Sequence, residues 1–368
     1  MTWSTGFELT QQLTSKILHL RFRSREIRDI FWLGPYHAHL FFRYMTLTKM
    51  ANMLLIKVQE WLRLGRIRGF PYRYILDPTN ICNLRCPVCP TGLATIGRER
   101  GSMDFDRFQK ITNQIARYAY RLELCNFGEP LLHPRIFDMI NYAHQRKISV
   151  MLSSNLNFFD QKMAEQTVTS GLDMLIVSVD GATQETYEKY RVGGNLSRVL
   201  SNARLLVEEK HRQRSQYPIV IISMLINRHN EHQISEMRQI AKTLGVDAFT
   251  TGSFLVDTTD PIQVKEWLPI EQSWSCYDYS EEKLENVCNR SDLWESMTIN
   301  WDGGVVPCCW LHRKENDFEN IFKKPLAEVW NSEAYISSRR LFAFGGPKVG
   351  LQETICTRCK GKPSYMKD

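Results

Sequence analysis

The sequence predicts an α/β fold in which a parallel sheet follows an N-terminal helical extension and precedes a cysteine-rich C-terminal segment. Three observations support this prediction. From residue 73, short apolar runs alternate with amphipathic segments, which is typical of βα units. Before residue 71, apolar residues recur at helical spacing, and after residue 257 the alternation stops and cysteines return. We therefore expect units over 1–70, 71–257 and 258–368.

The N-terminal extension contains two predicted amphipathic helices, over 7–33 and 50–65. Their spaced apolar residues are Leu9, Leu13, Ile17, Leu18 and Leu20 in the first helix, and Met53, Leu54, Val58, Trp61 and Leu62 in the second. An aromatic stretch over 31–44 separates the two. We expect the extension to cap the domain that follows it. Peripheral contact with a membrane surface is the alternative, because basic helices that carry Trp and Phe can lie on one.

The net charge of +7 is concentrated in the same extension. Its clustered arginines are Arg21, Arg23, Arg25, Arg28, Arg63, Arg66 and Arg68. Such clusters attract phosphates or acidic lipids, but no recognisable nucleic-acid-binding module accompanies them. We interpret them as a solvated surface and expect no nucleic-acid partner. Without a signal-peptide pattern or a run of about 18 apolar residues, the expected location is the cytoplasm, with the inner membrane surface as the alternative.

Six strands are predicted, over 74–77, 122–126, 149–152, 174–179, 219–226 and 248–255. Helices are predicted near 104–119, 135–146, 160–169, 197–212 and 231–243.

Polar residues follow several of these strands, where barrel enzymes place their reactive groups. The candidates are Gly128, Glu129 and Pro130 after the second strand, Ser154 and Asn155 after the third, Ser178 at the end of the fourth, and Arg191 beyond it. A glycine lets the backbone approach a ligand closely, and a glutamate can accept a hydrogen bond from an ammonium group. Ser and Asn at these places are also common helix caps and turn formers. We interpret Asp180 and Gly181 as turn residues without a catalytic role.

Three cysteines with three and then two residues between them, Cys82, Cys86 and Cys89, follow the first predicted strand. Thiols at this spacing can face one point if the loop folds around it, and cysteine thiolates hold iron–sulfur clusters. Three ligands leave one iron of a four-iron cluster open to an exogenous ligand. The alternatives fit less well, because a structural zinc site usually takes four ligands in two pairs and disulfides require an oxidising compartment.

A second set of cysteines, Cys288, Cys308, Cys356 and Cys359, follows residue 257 and could close another cluster. The segment before Cys308 predicts a hairpin with Asp302-Gly303 as its turn. Cys276 and Cys309 are left over, and either could replace Cys288. In a regular strand Cys309 would point away from Cys308.

The three-cysteine loop resembles the motif of the radical SAM superfamily, and the spacing from Cys288 through Gly303 to Cys308 resembles its SPASM/twitch branch. The resemblance covers residues 72–368. It implies a partial (β/α)6 TIM-like barrel of the radical SAM type, a SAM-binding [4Fe–4S] cluster on Cys82, Cys86 and Cys89, and, in the shortened twitch form, one auxiliary [4Fe–4S] cluster on Cys288, Cys308, Cys356 and Cys359. It also implies that S-adenosyl-L-methionine (SAM) contacts Gly128, Glu129, Pro130, Ser154, Ser178 and Arg191, with Glu129 at the amino group and Arg191 at the carboxylate.

The implied activity is that of a radical SAM oxidoreductase, which reductively cleaves SAM and abstracts a hydrogen atom from its substrate. An auxiliary cluster acting as an electron relay favours net oxidation or crosslinking. The implied partners are an external one-electron reductant, such as flavodoxin or ferredoxin, and a small-molecule, lipid-linked or peptide substrate. We favour a small metabolite or lipid-linked molecule, because no peptide-leader-binding module is apparent.

Two other functions stay open at this point. One is radical-based sulfur insertion or methyl transfer, which the absence of a spare iron site disfavours. The other is a non-catalytic iron–sulfur or zinc scaffold that presents the basic helices to a partner.

Overall fold

The computed structural model describes residues 36, 38–280, 284, 287, 288, 290–344, 350–359, 362 and 363. The chain divides into two compact units, Met1–His39 and Leu40–Asp368, and the second is described below. The helix predicted over 7–33 and the arginines between residues 21 and 28 lie outside the described residues.

A nine-stranded sheet forms the centre of the second unit. Its strands in chain order are β1 (Arg73–Leu76), β2 (Arg121–Glu123), β3 (Ser149–Ser154), β4 (Met174–Ser178), β5 (Ile219–Ile226), β6 (Ala248–Ser253), β8 (Ser296–Ile299), β9 (Gly304–Val306) and β10 (Glu319–Asn320). β1 to β6 lie side by side in sequence order, and all of their pairings are parallel. The predicted six-stranded parallel sheet with its crossover helices is therefore confirmed.

Helices separate the strands, as the amphipathic segments predicted. They are α1 (Leu47–Trp61), α2 (Phe105–Ile115), α3 (Ile136–Gln145), α4 (Gln161–Thr169), α5 (Gln184–Tyr190), α6 (Leu196–Arg212), α7 (Ile234–Leu244), α8 (Pro261–Trp267), α9 (Asp292–Glu295), α10 (Leu326–Trp330), α11 (Glu333–Arg340) and α12 (Ile355–Arg358). Several helices follow a polar residue whose side chain accepts a hydrogen bond from a backbone N–H of the first turn. These residues include Asp104, Asp160, Thr183 and Asn195. Such caps satisfy N–H groups that have no partner within the helix.

The C-terminal segment extends the same sheet on its other side. β8 pairs in parallel with β1, and β9 and β10 follow in antiparallel pairings. The turn between β8 and β9 has Gly303 at φ +83°, a backbone conformation that L side chains rarely adopt. The predicted hairpin is thus confirmed. A short parallel pair, β7 (Val287–Cys288) with β11 (Lys362–Pro363), lies outside the large sheet.

The two faces of the parallel sheet differ in burial. Residues such as Leu122, Val150 and Leu152 are fully buried in the main hydrophobic core. Their neighbours Met151 and Ser153 are only half-buried. Because successive side chains of a strand point to opposite faces, these half-buried residues line the inner, more open face of the partial barrel.

α1 lies at the edge of the sheet where the strands begin, and its polar side faces the protein. Lys49 Nζ donates to the carbonyl oxygen of Lys147 just before β3, Asn52 Nδ2 donates to Phe70 O at 2.8 Å, and Gln59 Oε1 accepts from Gly69 N at 3.0 Å. The apolar residues of the predicted packing face are largely exposed, with Trp61 at 74%. Ile56 is fully buried in the main hydrophobic core, so α1 does pack on the domain, but through Ile56 and its polar residues rather than through the exposed apolar face. No helix among the described residues is long and apolar enough to cross a bilayer.

Candidate cluster and cofactor site

The cysteine loop begins six residues after β1 and lies against the loop that follows β2. The Glu129 N–H donates to Ile81 O at 2.8 Å, directly beside Cys82. A Cβ added to Gly128 would lie 1.9 Å from the Thr79 carbonyl oxygen, so only glycine permits this approach. The close contact that Gly128 provides is therefore with the backbone before the cysteine loop. Pro130, which is buried, starts the short 3₁₀ helix Pro130–Leu132.

The three loop cysteines are free thiols, and Cys86 is the most buried of them. The Cys89 N–H donates to Cys86 O at 3.2 Å, and a Cβ on Gly92 would lie 2.4 Å from the same oxygen. The loop is therefore wound tightly around Cys86, and Gly92 is a structural requirement that the sequence reasoning missed. Burial raises the pKa of the Cys86 thiol to about 12, and the charge of Arg191 is the largest opposing effect.

This donor set fits a metal cluster. Burial also raises the pKa of Cys82, and the charges of Cys82 and Cys89 each raise the pKa of Cys86, which identifies the three thiols as electrostatic neighbours. Metal coordination deprotonates a thiol outright, so cations at this point would remove the mutual repulsion of three thiolates. Among the described residues, no three His, Cys, Asp or Glu side chains lie close enough together to bind a single metal ion. The fit to a cluster therefore rests on the chemistry of the three thiols and on the loop that carries them.

Glu129 is buried and receives three hydrogen bonds from the protein. Its Oε1 accepts from Leu131 N at 3.1 Å and from Ser154 Oγ at 2.8 Å, and its Oε2 accepts from Asn155 N at 2.8 Å. Burial raises the pKa of Glu129, and these bonds oppose that effect. A carboxylate offers about four lone-pair positions, so one acceptor position remains on Oε2. The Ser154 hydroxyl therefore contacts the Glu129 carboxylate and helps to fix its orientation.

Asn155 connects the end of β3 to the cysteine loop. Its Nδ2 donates to Asn83 Oδ1 at 2.9 Å and lies 3.8 Å from Cys82 Sγ. The backbone N–H of Asn155 donates to Glu129 Oε2. Asn155 alone therefore links the Glu129 carboxylate to Cys82.

The segment that carries Arg191 is bonded to a second point of the cysteine loop. The Arg85 N–H donates to Val192 O at 3.0 Å, and Arg191 Nε donates to Asp180 Oδ2 at 2.5 Å. Asp180 is fully buried, and its second oxygen accepts from Leu225 N at 2.7 Å. Asp180 thus fixes the orientation of Arg191, a function that the sequence interpretation of a turn residue missed. No local spacing links the two, because they meet only when α5 folds back onto β4.

Ser178 lies half-buried at the end of β4, in register with Ser223 of β5. Together with Glu129, Asn155 and Asp180, it belongs to the edge of the sheet where the strands end.

The C-terminal cysteines Cys288, Cys308, Cys356 and Cys359 influence one another's pKa values. Burial and the charges of Cys288 and Cys359 raise the pKa of Cys356 to about 12. Burial also raises the pKa of Cys308, followed by the charge of Cys309 and then that of Cys356. The side chains of Thr354 and Thr357 form a capping box that fixes the start of α12, where Cys356 lies.

The remaining cysteines have different surroundings. Cys276 packs with a separate apolar cluster that includes Tyr277 and Trp267. Cys309 stays close to the C-terminal set, because its charge is the largest one that raises the pKa of Cys308, and the charge of Asp292 raises the pKa of Cys288, Cys308 and Cys309 alike.

Cys125, which the sequence reasoning did not use, is half-buried just after β2. Desolvation raises the pKa of its thiol, and the charges of Glu123 and Asp77 add to that effect.

A buried arginine connects the two cysteine regions. Arg98, in the loop after Cys89, donates through Nη1 to Asp302 in the β8–β9 turn and through Nε to His312 O at 2.7 Å. It also contacts Asp317. Trp301 Nε1 donates to Glu99 O at 3.1 Å. These bonds hold the segment that carries Cys308 against the loop that carries Cys89.

Comparison with known families agrees with this arrangement. Residues 76–241 match the radical SAM superfamily, and residues 288–360 match SPASM, an iron–sulfur cluster-binding domain. The first match spans β1 to α7, and the second spans the four C-terminal cysteines.

Two curated relatives align over most of this chain. A tungsten-containing aldehyde ferredoxin oxidoreductase cofactor-modifying protein of Pyrococcus furiosus is 28% identical over 292 residues, which cover 71% of this chain and 81% of the relative. An AdoMet-dependent heme synthase of Methanosarcina barkeri is 24% identical over 322 residues, which cover 76% of this chain and 88% of the relative.

Solved structures share the fold. SuiB of Streptococcus suis bound to S-adenosylmethionine superposes with a TM-score of 0.58 and 16% identity over 92% of this chain and 78% of that chain. Native anSMEcpe with bound AdoMet superposes with a TM-score of 0.54 and 14% identity over 74% of this chain and 84% of that chain. The cofactors are a SAM-binding [4Fe–4S] cluster and auxiliary iron–sulfur clusters. With its three-cysteine loop after β1 and its four C-terminal cysteines, this chain is a radical SAM protein of the SPASM branch.

Proposed function

We propose that this protein reductively cleaves SAM at a [4Fe–4S] cluster held by Cys82, Cys86 and Cys89 and abstracts a hydrogen atom from its substrate. One observation carries the proposal. The cysteine loop is hydrogen-bonded on one side to the Glu129 site, through Asn155, and on the other to the Arg191 segment, through Arg85. The Glu129 carboxylate and the Arg191 guanidinium are thereby both attached to the loop that carries the three thiols.

This arrangement matches the two charged groups of an amino acid. The free position on Glu129 Oε2 can accept a hydrogen bond from the SAM ammonium, and the guanidinium of Arg191 can pair with the SAM carboxylate. Asp180 engages Nε of Arg191, so we assign the pairing with the SAM carboxylate to the Nη groups. When bound, the reduced cluster supplies the electron that breaks a C–S bond of SAM and yields the radical that attacks the substrate.

We further propose that Cys288, Cys308, Cys356 and Cys359 hold one auxiliary [4Fe–4S] cluster. The mutual influence of these thiols supports this set. Cys276 packs in a separate apolar cluster, which argues against it as a replacement. Cys309 stays the alternative ligand, because its charge affects Cys308 more than that of Cys356 does. Four thiolates leave no open iron. The fitting role for such a cluster is electron transfer with the substrate, which favours net oxidation or crosslinking, with flavodoxin or ferredoxin as the external reductant.

The names of the relatives bear on the substrate. They describe a cofactor-modifying protein, a heme synthase and, at 24% identity over 168 residues covering 45% of this chain, a mycofactocin maturase of Mycobacterium ulcerans. These names support the chemical modification of a preformed cofactor or peptide-derived molecule. A small metabolite of that kind is our preferred substrate class.

The test is anaerobic purification followed by iron analysis and incubation with SAM and dithionite. Two clusters correspond to about eight irons per chain. Cys86→Ala should abolish 5′-deoxyadenosine formation, and Cys356→Ala should lower the iron content to about four while abortive SAM cleavage continues. Cys276→Ala is the matched control and should change neither value. Cleavage of SAM by the Cys86→Ala protein would refute the central assignment.

A further inference from the structure

α1 is an amphipathic helix with its usual orientation reversed. Its buried residues include Lys49, Asn52 and Gln59, which bond to the barrel. Its outward residues include Leu47 at 80% exposure and Leu54 at 63%. A surface helix normally turns its apolar stripe to the core. Here the inward side consists of three hydrogen-bonded polar residues and one apolar residue, Ile56, which is fully buried in the main core, and the wider apolar side faces outward.

The outward side is continuous and uncharged. At about 100° per residue, its members span an arc of about 140°. They are Leu47, Met50, Ala51, Leu54, Leu55, Val58, Trp61 and Leu62. Phe42, which is 80% exposed, precedes the helix. Contiguous exposed apolar surface of this kind marks an interaction site in soluble proteins.

The charges around this face define the partner. Between residues 40 and 72 the basic residues are Arg43, Lys49, Lys57, Arg63, Arg66 and Arg68, and Glu60 is the one acid. Lys49 faces the barrel and Lys57 pairs with Glu60 and Glu295. The four arginines are the charges that border the face, and Arg43 stays 37% exposed beside Asp173. Arg43 precedes α1, and three of the arginines follow its end. An apolar helical face with Trp and basic residues at its borders is the composition of helices that lie in the headgroup region of an anionic bilayer.

A second copy of the chain would fit less well. In a two-fold interface the same surface meets itself. Two copies of this face would set arginines of one helix beside arginines of the other, in either helix direction, because both ends are basic. An anionic lipid surface instead offers opposite charge at both ends.

We propose that the exposed face of α1 docks this protein onto an anionic lipid bilayer. The contacts of α1 place it at the edge where the strands begin, beside Lys147 before β3 and Phe70 before β1. The cysteine loop and Glu129 lie at the opposite edge. The docked protein therefore directs the edge that carries its SAM site away from the lipid, a consequence that rests on the proposed function, whereas the docking itself does not.

The test is flotation of the full-length holoprotein with two kinds of vesicle, phosphatidylcholine alone and phosphatidylcholine mixed with phosphatidylglycerol. We expect binding to the mixed vesicles that weakens as salt is raised, because exposed charges are screened over about 8–10 Å. Leu54→Glu should weaken binding by at least about tenfold, since a buried leucine contributes about that factor. Ile270→Glu, at a site of 73% exposure outside α1, is the matched control and should bind as the unaltered protein does.

Equal binding by Leu54→Glu and Ile270→Glu, or no binding to mixed vesicles, would overturn the proposal. So would a dimer in light scattering that Leu54→Glu dissociates, since the face would then join two copies. The result is separable from the proposed function, because Cys86→Ala protein should still float with the vesicles if its fold is retained by circular dichroism.

Discussion

Arg98 Nη1 lies 3.0 Å from both carboxylate oxygens of Asp302, a residue 204 positions further along the chain. The arginine side chain is 1% exposed. The pair joins the loop after Cys89 to the turn before Cys308, and together with the Arg98–Asp317 and Trp301–Glu99 contacts it fixes the relative position of the two cysteine regions.

Loss of Arg98 should therefore destabilise the fold strongly. Arg98→Ala leaves Asp302 and Asp317 without their cation, and breaking a buried pair in this way typically costs about 3–5 kcal/mol. Urea unfolding of the anaerobic holoprotein measures the effect. Arg135→Ala, which breaks an exposed pair with Asp138, is the control and should change stability by about 0–1 kcal/mol. Similar midpoints for the two variants would show that the Arg98 pair does not hold the regions together.

Glu129→Ala should weaken SAM binding without removing the clusters. A charge-assisted hydrogen bond to an ammonium contributes about 1.5–3 kcal/mol, which corresponds to roughly tenfold to a hundredfold in affinity. Equilibrium binding of SAM under anaerobic conditions measures this, alongside iron content. Glu165→Ala, at a largely exposed glutamate on α4, is the matched control. An unchanged SAM affinity in Glu129→Ala would remove this residue from the site.

Asp180→Asn should impair SAM binding through Arg191. The amide keeps an acceptor for the Leu225 N–H but removes the negative charge that orients the guanidinium, so we expect a several-fold rise in KM for SAM, with the iron content retained. Arg191→Lys should not restore binding in the double variant, because lysine lacks the planar fork of donors. If Asp180→Asn lowered the turnover number and left KM for SAM unchanged, Asp180 would act elsewhere than on Arg191.

The stability of the fold should decrease as pH rises towards neutrality, in part through Asp77. Burial raises the pKa of this carboxyl from 3.8 to about 7, although the Phe127 N–H donates to it at 3.0 Å. The folded protein therefore binds the proton more tightly than the unfolded chain, and the corresponding stability is lost between about pH 4 and 7. Unfolding midpoints at pH 5.5 and 7.5 should differ less for Asp77→Asn than for the unaltered protein. An equal difference in both would assign the pH dependence to other groups.

Local spacing in the sequence was sufficient for much of the fold and part of the site. The alternation of apolar runs and amphipathic segments predicted the six parallel strands, since each element carries its own period. Asp302-Gly303 predicted the hairpin, because a turn with positive φ favours glycine. The spacing of Cys82, Cys86 and Cys89 predicted the radical SAM cofactors, since the ligands of one loop are close in sequence.

Only the tertiary structure decided which distant segments meet. β8 joins the sheet beside β1, Arg98 reaches Asp302, and Asp180 fixes Arg191, and none of these contacts leaves a periodic pattern in the chain. The orientation of α1 was decided in the same way. Its apolar spacing alone predicted a face packed on the barrel, but the hydrogen bonds made by Lys49, Asn52 and Gln59, together with the burial of Ile56, turn that face outward. A helical period determines that two faces exist, and the partners available on each side determine which one is buried.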